Sequence, residues 1–84
     1  MVRSTNQWVR FTFESMTTDG KIYTFPLACN AYVIQASDYG RAAFSASATP
    51  INSTQFKIWA NETSSAKPFQ TKGGGYAIIL GKIN

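Results

Sequence analysis

Eighty-four residues, 14% of them charged and 14% aromatic, make one domain with no room for two independent cores. A single cysteine, Cys29, excludes an intrachain disulfide, and with no histidine and four scattered acids (Glu14, Asp19, Asp38, Glu62) no metal cluster or cofactor is expected. The net charge of +4 is spread over eight basic residues, with no Lys/Arg run to track a phosphate backbone.

In chain order the pattern is strand, turn, strand. Gln7 to Ser15 alternates, with Val9, Phe11 and Phe13 on one face and Trp8, Arg10, Thr12 and Glu14 on the other. Thr18-Asp19-Gly20 is a turn, because Asp-Gly readily supplies positive φ. Lys21 to Phe25 forms a second strand, stopped by Pro26, which cannot donate to a ladder. Ala31 to Ser37 is a third, with Tyr32, Ile34 and Ala36 opposite Val33 and Gln35, and Asp38-Tyr39-Gly40 turns the chain.

Arg41 to Ala48 is the fourth strand, with Ala42, Phe44 and Ala46 alternating against Arg41, Ala43 and Ser45; Thr49-Pro50 and Asn52-Ser53 break it. In Gln55 to Ala60, Phe56, Ile58 and Ala60 face one way, and Lys57, Trp59 and Asn61 the other. Glu62 to Gly75 is polar and ends in Gly73-Gly74-Gly75, a loop signature. Tyr76 to Gly81 is a last strand, apolar on both faces through Tyr76, Ile78 and Leu80 and through Ala77 and Ile79.

No window carries a 3.6-residue apolar period. The spacing predicts an all-β fold, a small antiparallel β-sandwich of six to seven strands or a small barrel. A final strand apolar on both faces needs cover on both sides: one is the domain's own core, the other is open to a neighbouring subunit. Domains this small stabilise themselves marginally, and of the usual reinforcements oligomerisation is the one left open. Trp8, turned away from Val9, Phe11 and Phe13, is placed in such an intersubunit contact. No apolar stretch reaches the ~20 residues that cross a bilayer, and the N-terminus lacks the apolar core of a signal peptide. The sequons at Asn52 and Asn61 are therefore read as coincidences of a polar, Thr-rich chain.

Catalysis is not expected. Without histidine there is no Ser-His-Asp or Cys-His arrangement, and Cys29 is read as a small buried hydrophobe rather than a reactive thiol. Gly73-Gly74-Gly75 lacks the Lys-Ser/Thr and helix of a phosphate loop.

Several motifs recur in an order that resembles the C-terminal receptor-binding domain of bacteriophage tail-fibre proteins of the gp53-like type. They are the Gln7-Trp8 pair, Tyr23-Thr24-Phe25-Pro26-Leu27-Ala28, and Tyr32-Val33-Ile34. The Ser/Ala-rich stretch from Arg41 to Ala48 follows, then Asn52-Ser53-Thr54-Gln55-Phe56-Lys57-Ile58-Trp59 and the closing Tyr76-Ala77-Ile78-Ile79-Leu80-Gly81. Val9 stands where that family commonly has Gly, and Cys29-Asn30 where it repeats its Phe-Pro pair. The resemblance implies a homotrimeric knob at the distal end of a virion tail fibre. Its implied partner is a host receptor: lipopolysaccharide, capsule or an outer-membrane protein.

For receptor contact, Lys57, Trp59 and Asn61 share one side of a strand and combine a stacking plane with hydrogen-bonding groups. The same pattern is compatible with Trp59 buried in a trimer seam or a second core layer. Two loops are the other candidates, one with Asp38, Tyr39 and Arg41, the other with Lys67, Phe69, Gln70 and Lys72. Tyr39 and Phe69 have an alternative role, pinning their loops to the domain. Two further functions compete: a single-stranded nucleic-acid-binding barrel, suggested by the basic, aromatic composition, and a trimerisation cap with no ligand.

Overall fold

The computed structural model describes residues 3–39 and 44–83. Six strands follow one another among them: β1 (Arg3–Phe13), β2 (Lys21–Thr24), β3 (Asn30–Asp38), β4 (Phe44–Pro50), β5 (Gln55–Glu62) and β6 (Gly73–Ile83). They form two three-stranded antiparallel sheets, β1-β6-β3 and β2-β5-β4. The fold is the small antiparallel sandwich that the alternation predicts, drawn out to 45 × 23 × 18 Å.

Each sheet turns one side inward, because successive side chains on a strand point to opposite faces. Phe11 and Phe13 of β1, Ala36 of β3, Phe44 of β4, Phe56, Ile58 and Ala60 of β5, and Ala77 and Ile79 of β6 meet in one core. Phe25 stacks on Phe56 with ring centroids 4.9 Å apart. Met16, which closes the core from the turn after β1, is held by its N–H donating to the Phe69 carbonyl at 2.9 Å.

The sheets are also tied by polar contacts. The Tyr23 hydroxyl of β2 donates to the Thr12 carbonyl of β1 at 2.9 Å. Gln7 turns its carboxamide inward: Nε2 donates to the Leu27 carbonyl at 2.8 Å and Oε1 accepts from the Leu27 N–H at 2.8 Å. That reproduces the pairing of one peptide unit with another, so Gln7 holds the connection from β2 to β3 as a ladder partner would. The connection is fixed on its other side by Phe25 N–H to Thr54 and Cys29 N–H to Ser53 carbonyls, both 2.9 Å.

Three expectations are corrected. Gly73-Gly74-Gly75 is strand, not loop: it opens β6, the central strand, between Phe11–Phe13 and Asp38. A Cβ at Gly75 would collide with the Ser37 carbonyl oxygen, and one at Gly74 with that of Phe11. The glycines there serve close backbone approach rather than flexibility. Tyr32 does not share the inward side of Ile34 and Ala36: a bulge between Ala31 and Val33 leaves Tyr32 as an extra residue, so both Tyr32 and Val33 are exposed. Thr49 and Pro50 do not break β4 but complete it, opposite Lys57 and Phe56. Pro50 is tolerated because β4 is an edge strand and needs no second ladder of donors. Of the expected fourth strand, residues 41–43 lie outside the described ones.

Candidate functional site

The outer side of β1-β6-β3 presents Trp8 from β1, Tyr76, Ile78 and Leu80 from β6, and Val33 and Tyr32 from β3. Registration brings them together, with Trp8 opposite Ile78, Gln35 opposite Ile78 on the other flank, and Leu80 beside Val33. Trp8 is 65% exposed and Ile78 49%. The Trp8 and Tyr76 rings meet in a T-shaped arrangement with centroids 5.9 Å apart, and Tyr76 and Tyr39 do so at 5.1 Å. Charge is confined to the two ends, where Arg10 lies over the Tyr39 ring and Lys82 over the Tyr32 ring, each at 5.4 Å. The Tyr39 hydroxyl also holds the Arg10 guanidinium above its ordinary pKa. A groove of about 430 Å³ runs between Asn6, Trp8, Ser37, Tyr76 and Ile78.

An apolar, aromatic centre with a polar and cationic rim is an arrangement that protein–protein contacts also have. Burying half-exposed side chains of this size stabilises by about 1 kcal/mol each. The expectation that Trp8 and the outer side of the last strand stay uncovered by the chain's own core agrees with this arrangement.

The outer side of β2-β5-β4 differs. Gln55, Lys57, Trp59 and Asn61 of β5 are half-buried, and Ser45, Ser47 and Thr49 of β4 are exposed. Ser47 lies opposite Trp59, Ser45 opposite Asn61 and Thr49 opposite Lys57. The Lys57 ammonium sits 5.6 Å from the Trp59 ring centroid. Gly20, at φ 79°, leaves room for the indole edge: a Cβ there would come within 3.0 Å of Nε1. Lys57, Trp59 and Asn61 thus share one outward side, and Trp59 lies on the surface of its sheet, not in the core between the sheets.

The loop candidates are drawn partly together. Tyr39 and Phe69, with Lys72, Thr12, Asp38, Phe44, Gly73 and Gly74, line a cleft of about 360 Å³ at the end of the sandwich. Phe69 is half-buried against Phe44 at 5.2 Å and Phe13 at 6.4 Å, the geometry of a loop anchor. Tyr39 is partly pinned too, by Tyr76 and Arg10. Lys67 is not at this cleft: it sits in the turn after β5, where its carbonyl accepts from Glu62 N–H at 2.9 Å, near the Asn61 end of the polar face. Arg41 lies outside the described residues.

Cys29 is buried and unpaired; burial pushes its thiol pKa up, while the Gln7 Nε2 donor 3.5 Å from Sγ pulls it the other way. Among the described residues no group of three or more His, Cys, Asp or Glu could hold a metal ion, and no helix is long and apolar enough to cross a membrane.

Sequence reasoning missed Gln7 and Asn52. Gln7 continues the inward alternation of Val9 and Phe11, so a polar residue in an apolar row was the available signal. The Asn52 side-chain oxygen accepts from Thr54 N–H, Thr54 Oγ1 and Gln55 N–H, each at 2.9 Å, and shapes the β4–β5 turn. Asn-Ser-Thr is here an Asx turn, which a Pro-X-Asn break foreshadows.

No family model matches the chain, and no curated protein or solved structure matches it.

Proposed function

We propose that this domain is the receptor-binding tip of a bacteriophage tail fibre, a homotrimer in the virion that attaches to the bacterial surface by contact and not by catalysis. The observation that carries this reading is the division of labour between the two outer sides. One is aromatic and aliphatic and suits sister chains; the other is hydroxyl-rich and suits a ligand.

Supporting it, the motifs behind the tail-fibre resemblance hold structural posts that depend on one another. Gln7 of the Gln-Trp pair clasps Leu27 of the Phe-Pro-Leu-Ala stretch, and Thr54 of the Asn-Ser-Thr stretch accepts from Phe25. A domain with no disulfide gains stability when sister chains cover Trp8, Tyr76, Ile78 and Leu80. The receptors this reading admits are lipopolysaccharide, capsule or an outer-membrane protein.

Sedimentation equilibrium of the purified chain at micromolar concentration, with binding of the labelled chain to a panel of Gram-negative cells, tests it. A trimer that binds cells is expected. A monomer overturns the assembly, and a trimer that binds no cell reduces the domain to a trimerisation cap.

A further inference from the structure

The outer side of β2-β5-β4 carries a combination the apolar face lacks. Trp59 offers an aromatic surface at the middle of β5, with Lys57 and Asn61 two residues to either side. From Lys57 to Asn61 an extended strand covers roughly 14 Å, the reach of an oligosaccharide rather than a single ring. Ser47 and Ser45 stand directly across from Trp59 and Asn61, at the short distances of cross-strand neighbours.

None of these polar groups is used by the fold. Among the described residues the Trp59 N–H, the Ser45 and Ser47 hydroxyls and the Asn61 carboxamide make no side-chain hydrogen bond. The serine hydroxyls, on exposed residues, are open to a partner with many hydroxyls, and the half-buried Asn61 carboxamide lies beside them. Charge favours an anion there as well: the side shared by Lys57, Trp59 and Asn61 carries no Asp or Glu on β2, β4 or β5, and the one acid of these strands, the exposed Glu62, ends β5 on the opposite parity.

We infer that this face binds an acidic surface polysaccharide, a sugar ring packing on the Trp59 indole and its carboxylate or phosphate meeting Lys57. The hydroxyls of Ser45 and Ser47 and the Asn61 amide would take the sugar hydroxyls. An aromatic plane beside a cation favours a ring that carries both an apolar face and a negative group. This deepens the attachment reading and rests on it.

Isothermal titration calorimetry of the full chain against polygalacturonate, lipopolysaccharide, neutral dextran, polyglutamate and a single-stranded thymidine oligonucleotide tests the site. Saturable binding is expected to polygalacturonate if a sugar carboxylate suffices, or to lipopolysaccharide alone if a phosphate is required, and not to dextran or polyglutamate; binding to neither polygalacturonate nor lipopolysaccharide overturns the inference. Lys57→Gln should weaken it about fivefold and Trp59→Ala about tenfold. Should Trp59→Ala fail to fold, Ser47→Leu, at an exposed position opposite the indole, should likewise weaken binding about tenfold.

Equal affinity for polyglutamate reduces the site to charge alone, and tighter binding of the oligonucleotide makes it a nucleic-acid surface; either result overturns the inference. So does full affinity in Ser47→Leu. Cell binding that survives both Lys57→Gln and Ser47→Leu removes this site and leaves attachment standing, whereas absence of cell binding by the unaltered chain removes both.

Discussion

The two outer faces of the sandwich are built from the same strand geometry yet have opposite chemistry, and the two tryptophans make the contrast sharpest. Trp8 stands largely free on a sheet face whose central strand is apolar and whose charged groups lie at its ends. Trp59 lies half-covered on a sheet whose other outward positions are mostly hydroxyls, amides and a lysine. A free indole among Ile78, Leu80 and Tyr76 gains most by excluding water with another apolar surface. An indole among hydroxyls gains from a ligand that is itself part apolar and part polar. Exposure alone therefore does not separate the two indoles; the company each keeps does, and on that ground Trp59 is the one proposed to bind.

The sharpest way to break this contrast is to place the same charge on each face. Ile78→Lys should cost the assembly roughly 3 kcal/mol per subunit and leave monomer in sedimentation, because it puts an unpaired ammonium at the centre of the proposed contact. Ser47→Lys should leave the oligomeric state unchanged; dissociation by Ser47→Lys instead would reverse the assignment of the faces.

Next in size is the tie between the sheets. Gln7→Ala leaves the Leu27 N–H and carbonyl without partners and should lower unfolding stability by about 2–3 kcal/mol in urea titration. Tyr23→Phe deletes one hydrogen bond to Thr12 and should cost about 1 kcal/mol by the same measurement. Neither substitution touches an outer face, so the oligomer and the ligand affinity should both follow stability alone.

The smallest effect is alkaline. Burial raises the Tyr23 hydroxyl above its ordinary 10.0 and, against the opposing pull of Gln7, the Cys29 thiol above its ordinary 9.0. Both groups hold their protons more tightly folded than unfolded. Their contribution to stability is complete below about pH 9 and is lost as pH rises through the folded values. Thermal midpoints should accordingly fall above pH 9, and iodoacetamide at pH 8 should modify Cys29 roughly tenfold or more slowly than in the urea-unfolded chain.

The inward rows were legible in the sequence because alternation is enforced by burial: Phe56, Ile58 and Ala60, or Phe11 and Phe13, could not exchange faces without exposing the core. The outward placement of Trp8, Lys57, Trp59 and Asn61 followed by the same parity. What parity cannot carry is an insertion, and the bulge at Tyr32 shifts the phase with no local mark in Ala-Tyr-Val. Composition misled at Gly73 to Gly75, since glycine signals a turn and a crowded strand equally, and only the distance to Ser37 and Phe11 separates the two. The cleft joining Tyr39 to Phe69 arises from residues 30 apart in sequence, which no spacing rule relates.

Strand order has a consequence in time. β4 and β5 are joined by a short turn and can pair as soon as both exist, whereas β1 and β3 touch no partner in their sheet except β6, which follows them both. Closing β1 onto β6 spans nearly the whole chain, and such distant pairings form slowly. The Ser-rich sheet is thus expected to be the early folding unit and the β1-β6-β3 sheet the late one. Tyr76, Ile78 and Leu80 enter an ordered surface only in that last step, so the face proposed to meet sister chains is displayed only by molecules that have already finished folding.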